Sequence, residues 1–378
     1  MKQAGVYVHF PYCPQKCPYC DFAVRVERVI PQESYTRAVL AELRMRAGEL
    51  AGTRVVSVYF GGGTPSLWEP ELLAGVMAAL RASLDIEAEP EVTVEANPDA
   101  VRGLPGFRAA GVNRISLGAQ SFAPAQLVAL GRLHGAAQAE AAVGSARAAG
   151  FGNVSIDLIH GGPGQTAAMA GADAARAAAL GAEHVSGYAL TLTGLAVDVP
   201  MARAWRAGRL QLPDDEELAE MHASLRAALG AAGLRRYEIS NFARPGFESR
   251  HNLLYWTGRA YLGLGASACG FDGRVRSAND RDPDRYMERV LAGELPEASR
   301  EVPDRDMRLR ERIFTGLRLV EGLDLAALED ELDQPVRSRF APQIERLVAD
   351  GLALVDGPRL RLTERGLDLH SEAAVRFF

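Results

Sequence analysis

Short β-branched runs alternate with alanine- and leucine-rich stretches over the first two-thirds of the chain, and this alternation restricts the fold more than any other feature. Strand candidates are 5–10 (GVYVHF), 55–60 (VVSVYF), 91–95 (EVTVE), 113–118 (NRISLG), 153–159 (NVSIDLI) and 184–190 (HVSGYAL). Between them, 33–50, 69–84, 123–149 and 165–180 carry apolar residues at helical spacing. Strands that read as almost continuously apolar belong in a parallel sheet covered by helices. The period alone does not say whether that sheet is open or closed. A helix over about 214–232 begins with PDDEE, acidic residues that suit a helix N-terminus, and 235–286 is irregular, polar and aromatic. From about 303 the pattern becomes helix, helix, helix and a two-stranded wing, a small helical module of winged-helix type. It mixes acids with its arginines and shows no basic recognition face, so it reads as a packing or partner module.

The bulk numbers narrow the function classes. A chain of 378 residues holds one large α/β unit plus an appendage. No apolar run approaches the ~18 residues of a membrane span, and the start shows no signal-peptide pattern. The expectation is a cytoplasmic protein that is not integral to a membrane. A net charge of -6 argues against nucleic acid as the main partner. Lysine occurs only at Lys2 and Lys16, and with alanine abundant as well, the arginine excess reads as compositional bias rather than anion binding.

Three of the four cysteines fall in VYVHFPYCPQKCPYCDF, as Cys13, Cys17 and Cys20. Three cysteines cannot all pair, and disulfides are unusual in the cytosol. Structural zinc takes four ligands, and beyond His9 the loop has no further donor pair, with Cys269 alone far downstream. An iron–sulfur cluster with one iron left open suits three thiolates on one short loop. Cys-x3-Cys-x2-Cys with Tyr19 before the last cysteine resembles the signature of the radical S-adenosylmethionine (SAM) superfamily. The resemblance implies a [4Fe-4S] cluster whose open iron binds SAM and, on reduction, cleaves it to a 5'-deoxyadenosyl radical. YFGGGTPS, ending the second strand, matches the element that holds the SAM amino group; glycines let backbone approach a ligand closely. Glu95, Gln120 and Asp157 stand at or near the ends of successive strands, where ligand groups collect in α/β barrels. They offer acceptors for hydroxyls and a cation, and Arg132 can pair with a carboxylate.

YVHFPYCPQKCPYCDF, GGGTPS, EANP, RISLGAQSF and YALT, with the PGQT loop after the fifth strand, are similar to the oxygen-independent coproporphyrinogen III oxidase family over essentially the whole chain. HGGPGQT at 160–166 departs from the bulkier pair expected there, which touches local loop contacts only. The resemblance places cluster ligands on Cys13, Cys17 and Cys20, and SAM contacts on Tyr7, Tyr19, Gly62, Gly63, Thr64 and Glu95. A second set of SAM-type contacts falls on Gln120, Arg132, Asp157, Ala189 and Cys269.

Within that family the oxidases carry an N-terminal extension and a further cysteine two positions after the third. Here twelve residues precede Cys13 and that later position is Phe22, which resembles the heme-chaperone branch instead. HNLLYW at 251–256 matches a motif associated there with heme. His251 offers an imidazole to iron, Asn252 can orient it, and Tyr255 and Trp256 offer flat apolar surface. A core histidine beside an aromatic cluster is the plainer reading of the same residues. The resemblance thus implies a protein that binds heme and passes it to apo-hemoproteins, those of the respiratory chain among them. A homodimer and peripheral membrane contact stay open. Whether SAM is cleaved, and hence whether the protein is an enzyme, is also open. Coproporphyrinogen oxidation is the alternative activity, argued against by Phe22; a structural zinc protein is a third reading. The expected architecture is an incomplete (β/α)6 barrel over 1–235, an extension over 236–300 carrying HNLLYW, and a winged-helix-like module over 301–378.

Overall fold

The computed structural model describes residues 2–195 and 197–378. Six strands, β1 (Lys2–Phe10), β2 (Thr53–Gly62), β3 (Ile86–Ala96), β4 (Arg114–Gln120), β5 (Asn153–His160) and β6 (His184–Ala189), lie side by side in chain order, each parallel to the next. Helices α1 (Gln32–Arg46), α2 (Pro70–Ser83), α3 (Leu104–Ala109), α4 (Pro124–Ala129), α5 (Ala136–Ala148) and α6 (Ala167–Ala179) return the chain between them. This is the expected incomplete (β/α)6 barrel. Val58, Phe60, Val92, Val94, Ile115 and Leu117 belong to the core that also buries Leu73, Val76, Leu80 and Phe107 of the helices.

The opposite face of the same strands is not apolar, contrary to the reading of continuous hydrophobic runs. Alternate positions carry Ser57 and Tyr59 on β2, Glu91, Thr93 and Glu95 on β3, Arg114, Ser116 and Gln120 on β4, Ser155 and Asp157 on β5, and His184 and Ser186 on β6. Because side chains alternate with period 2, these groups share the interior of the barrel. The helical segment read at 123–149 is two helices. Gly131 at φ +63° turns the chain between α4 and α5, and a Cβ there would sit 2.6 Å from Pro18 Cδ. That break carries Arg132 to the mouth of the barrel.

Two further helices follow β6, α7 (Pro200–Arg206) and α8 (Asp215–Ala231), and the segments beyond them extend the sheet at both edges. β7 (Arg235–Arg236) and β8 (Asn241–Ala243) pair antiparallel outside β6. The chain then crosses through α9 (Arg250–Trp256) to β9 (Ala260–Leu264), which pairs parallel with β1, followed by antiparallel β10 (Cys269–Phe271), β11 (Arg276–Asn279) and β12 (Glu297–Glu301). After α10 (Pro283–Leu291), the C-terminal module packs its own core of Leu309, Ile313, Leu347, Leu360 and Phe377. Its helices and the Ala353–Asp356/Arg359–Leu362 hairpin give the winged-helix-like form.

One buried ionic network joins the barrel to the extension. Glu42, fully buried on α1, accepts from Arg46 Nε (2.9 Å), Asn279 Nδ2 (2.7 Å), the Gly265 amide (2.8 Å) and the Tyr286 hydroxyl (2.8 Å). Arg46, itself buried, also reaches Glu49 and Glu297. A buried charge left without its partner is costly, whereas an exposed pair contributes little. In urea titrations Glu42→Ala is expected to destabilise the protein by about 3–5 kcal/mol. Arg54→Ala, which breaks the exposed pair with Asp85, should cost less than about 1 kcal/mol.

Candidate functional site

The cysteine loop is held by the ladder that precedes it. β1 and β2 pair as far as Phe10 opposite Gly62, and the chain continues the pattern: the Gly63 amide donates to Phe10 O (2.8 Å) and the Thr64 amide to Tyr12 O (2.9 Å). Gly62 sits at φ +116°, and a Cβ on it would fall 2.6 Å from the His9 ring. A Cβ on Gly63 would fall 2.6 Å from the Tyr12 carbonyl oxygen. The sequence reading assigned these glycines to a ligand; both line the cavity, and each also makes room inside the protein, Gly62 for the His9 ring of β1 and Gly63 for the backbone of the cysteine loop. On its return the loop is tied by Arg25 N to Pro11 O (2.7 Å) and by His9 Nε2 donating to Ala23 O (3.2 Å). His9 Nδ1 then accepts from the Tyr7 hydroxyl (2.9 Å); burial keeps the ring neutral, lowering its pKa to about 4. Gln15 Nε2 donates to Gly131 O (2.7 Å) and the Met201 amide to Pro18 O (3.0 Å). Tyr19 packs on the small cluster of Leu192, Val199, Met201 and Ala202, a segment for which sequence reading assigned no element.

These ties place Cys13, Cys17, Cys20 and Tyr19 in the wall of a cavity of about 410 Å³ at the C-terminal ends of the strands. Gly62, Gly63, Thr64, Glu95, Gln120, Arg132, Asp157 and Ala189 line the same cavity. Tyr7 and Cys269 are not in that wall. Tyr7 stacks behind Tyr59, ring centroids 6.1 Å apart, and Cys269 stands exposed on β10 outside the barrel strands. Phe22, 59% exposed, lines the cavity beside Cys20.

All four cysteines are free. Cys13 Sγ lies 3.3 Å from Thr64 Oγ1, and Cys17 Sγ accepts from Arg132 Nη1 at 3.4 Å. Burial pushes the Cys13 thiol up to about 11 and raises that of Cys20, so both stay protonated until an electropositive centre takes the sulfur. Among the described residues no three His, Cys, Asp or Glu side chains converge on one ion-sized point. Separate thiols ringing a cavity fit a polynuclear cluster, which takes each sulfur at a different iron, better than a single zinc ion.

The polar wall opposite the loop is preorganised. Glu95, half-buried in the cavity wall, accepts from Tyr59 OH (2.9 Å) and the Gly62 amide (3.0 Å), yet desolvation pushes its pKa up to about 7. Ser116 donates to Asp157 at 3.1 Å, and burial raises that carboxyl too. Arg132 donates through Nη2 to Asn97 Oδ1 (2.7 Å) and Gly118 O (3.0 Å). Gln120 holds a left-handed φ of +65° where the β4–β5 register shifts, local strain of the kind found where a side chain is aimed into a site. Asn97, Tyr59 and Ser116 were missed from sequence. Asn97 stands two residues after Glu95, just past the end of β3, and that spacing was the available signal.

At the other end of the barrel, α9 inserts His251 beneath this wall. Ser249 caps the helix through Asn252 N (3.3 Å), and Glu91 accepts from the Arg250 and His251 amides (3.0 Å each). Gly5 makes room, since a Cβ there would lie 2.8 Å from Leu254 Cδ1 and 3.1 Å from the His251 ring. His251 is buried, with Nδ1 bonded to Ser57 Oγ (2.9 Å) and Nε2 to Tyr255 OH (2.8 Å), and its ring stacks on Tyr59 at 5.0 Å. Burial lowers its pKa to about 3. In this arrangement the imidazole offers no free nitrogen to iron. Nor does Asn252 orient it: Ser57 and Tyr255 do, because the side chain of His251 points into the barrel and away from its sequence neighbour.

Two measurements follow. The folded pKa of Glu95 lies above the carboxylate's ordinary value, so the unfolded chain releases this proton first and stability falls as pH rises from about 4.5 through 7. In cluster-free protein, Glu95→Gln should therefore gain stability relative to wild type between pH 5 and pH 8, by up to about 3 kcal/mol; an unchanged difference contradicts this. Gly63→Ala should lose iron and sulfide after anaerobic reconstitution while far-ultraviolet circular dichroism stays unchanged.

Comparison with known proteins agrees with this geometry. Residues 7–175 match the Radical SAM superfamily and residues 304–369 the HemN C-terminal domain. The chain is 40% identical to a heme chaperone HemW of Mycobacterium tuberculosis, over 98% of this chain and 94% of that one. It is 32% identical to a heme chaperone HemW of Lactococcus lactis, over 100% and 97%. The solved structure of a radical SAM enzyme, the coproporphyrinogen III oxidase HemN of Escherichia coli, superposes with a TM-score of 0.84 at 25% identity, over 100% of this chain and 90% of that one. The chain therefore belongs to the radical SAM superfamily and, within it, to the family of the proteins called heme chaperone HemW.

Proposed function

We propose that this protein binds heme and delivers it to apo-hemoproteins in the cytoplasm, with a [4Fe-4S] cluster and SAM held at the barrel mouth. Cys13, Cys17 and Cys20 hold the cluster, which when bound supplies one-electron chemistry to SAM. Glu95 and Asp157 accept hydrogen bonds from the ligand's hydroxyls and amine. Arg132, whose donors go to an amide, a carbonyl and a thiol rather than to an anion, remains able to pair with a carboxylate. Glu95, its pKa pushed up to about 7, is partly protonated near neutrality and ionises when a cation approaches, so SAM uptake releases protons below about pH 7. We take 1–235, 236–300 and 301–378 as the barrel, the extension and the C-terminal unit.

The observation that carries the choice of chaperone over oxidase is Phe22. A benzyl group, 59% exposed, stands in the cavity wall where the resemblance places a further sulfur in the oxidases. Names of the relatives support the same reading. No helix among the described residues is long and apolar enough to cross a membrane.

Anaerobically reconstituted protein supplied with coproporphyrinogen III, SAM and hemin decides the matter. The proposal expects hemin to be retained through gel filtration and passed to an apo-hemoprotein, with no protoporphyrinogen formed. Turnover of coproporphyrinogen with stoichiometric loss of SAM would establish the oxidase instead.

A further inference from the structure

A second cavity, about 450 Å³, shares no lining residue with the first. The HNLLYW helix α9 stands between them: its His251 stacks on Tyr59 of the upper wall, while Tyr255 and Trp256 line the lower space. Tyr261 and Phe271 come from β9 and β10, and Phe314 and Phe378 from the C-terminal module, so barrel extension and module build it jointly. Tyr255 meets Tyr261 edge-on at 4.6 Å, and Phe314 meets Phe378 edge-on at 6.3 Å. These are apolar walls suited to a flat ring system.

The charge around those walls is one-sided. Arg259, Arg276, Arg308 and Arg312 line the cavity against a single side-chain carboxylate, Glu311, and the main-chain carboxylate of Phe378, which Arg310 holds at 2.9 Å. Glu311 is already paired with Arg276 at 2.6 Å. Arg312 reaches Glu331 through Nη2 (3.4 Å), but its Nε and Nη1 are buried with no partner. Its stem lies across Gly258, where φ is +61° and a Cβ would fall 2.4 Å from Arg312 Cδ, so the turn after α9 is shaped to admit it. The guanidinium groups of Arg259 and Arg308 have no hydrogen bond or ion pair among the described residues. Buried unpaired donors beside aromatic faces call for an apolar ligand carrying anionic groups.

We infer that this lower cavity is the heme site: the macrocycle lies against the aromatic walls and its two propionates pair with Arg259, Arg308 and Arg312. The inference rests on the heme-chaperone reading and locates the ligand. His251 is then a positioning residue, which fixes the Tyr255 hydroxyl through the 2.8 Å bond rather than ligating iron. Affinity comes from ring contact and carboxylate pairing, so iron is not the main handle.

The test uses the full-length protein and Soret titrations with hemin, metal-free protoporphyrin IX and protoporphyrin IX dimethyl ester. Wild type should bind hemin and the metal-free porphyrin within about threefold of each other and the ester at least tenfold more weakly. Arg259→Glu/Arg308→Glu, which breaks no existing pair, should weaken hemin at least tenfold with its iron–sulfur content unchanged. Thr315→Phe, which fills the cavity from the module side, should do the same. If wild type binds hemin but both variants bind it equally well, the cavity is not the heme site although the chaperone reading stands. If wild type binds no hemin, the chaperone reading falls and the inference with it.

Discussion

Everything at the barrel mouth depends on two consecutive positions without a Cβ. Gly62 and Gly63 let the β1–β2 ladder run past the ends of both strands, so that the Gly63 and Thr64 amides bond the carbonyls of Phe10 and Tyr12. The cysteine loop is thereby clamped at one height against the turn. Thr64, fixed by the same turn, touches Cys13; Arg132, delivered by the break after α4, touches Cys17. The Gly62 amide also reaches Glu95, which fixes that carboxylate relative to the thiols. Sulfur, guanidinium and carboxylate are thus referenced to one piece of backbone, as a pre-built ligand site requires.

Below the mouth the barrel is filled by polar side chains rather than by apolar layers. Arg114 is buried close to Glu91 and Asp157, and these charges compensate one another inside the sheet. Glu91 in turn holds the first turn of α9, and Ser57 and Tyr59 meet the ring of His251. The helix therefore plugs the polar interior while its C-terminal aromatic pair faces the lower cavity. Glu95, Tyr59, His251 and Tyr255 form one connected column between the two cavities.

What sequence reading could see followed from local order. The six strands, their parallel arrangement and the winged module are written in periods of two and 3.6 and in turn residues. Cys13, Cys17, Cys20, Glu95, Gln120 and Asp157 stood out because each sits in a short string at or near a strand end, and Arg132 because the family resemblance reached it. The polar face of β3 and β4 was equally local, at every second residue, but the apolar neighbours masked it. Other features depend on contacts far apart in sequence. That His251 is satisfied by Ser57, that Gly62 faces His9, and that Cys269 lies off the mouth are consequences of sheet register. The lower cavity draws on α9, three extension strands, the helix Arg305–Gly316 and the last residue of the chain, and no single string announces it.

The central claim is that one barrel separates a thiol-lined mouth from a heme cavity beneath it. Replacing Cys13, Cys17 and Cys20 together by alanine and titrating the anaerobically purified variant with hemin tests it directly. The account predicts iron and sulfide lost from the mouth while hemin binds with wild-type stoichiometry and an affinity within about threefold. Loss of hemin binding along with the cluster would contradict it.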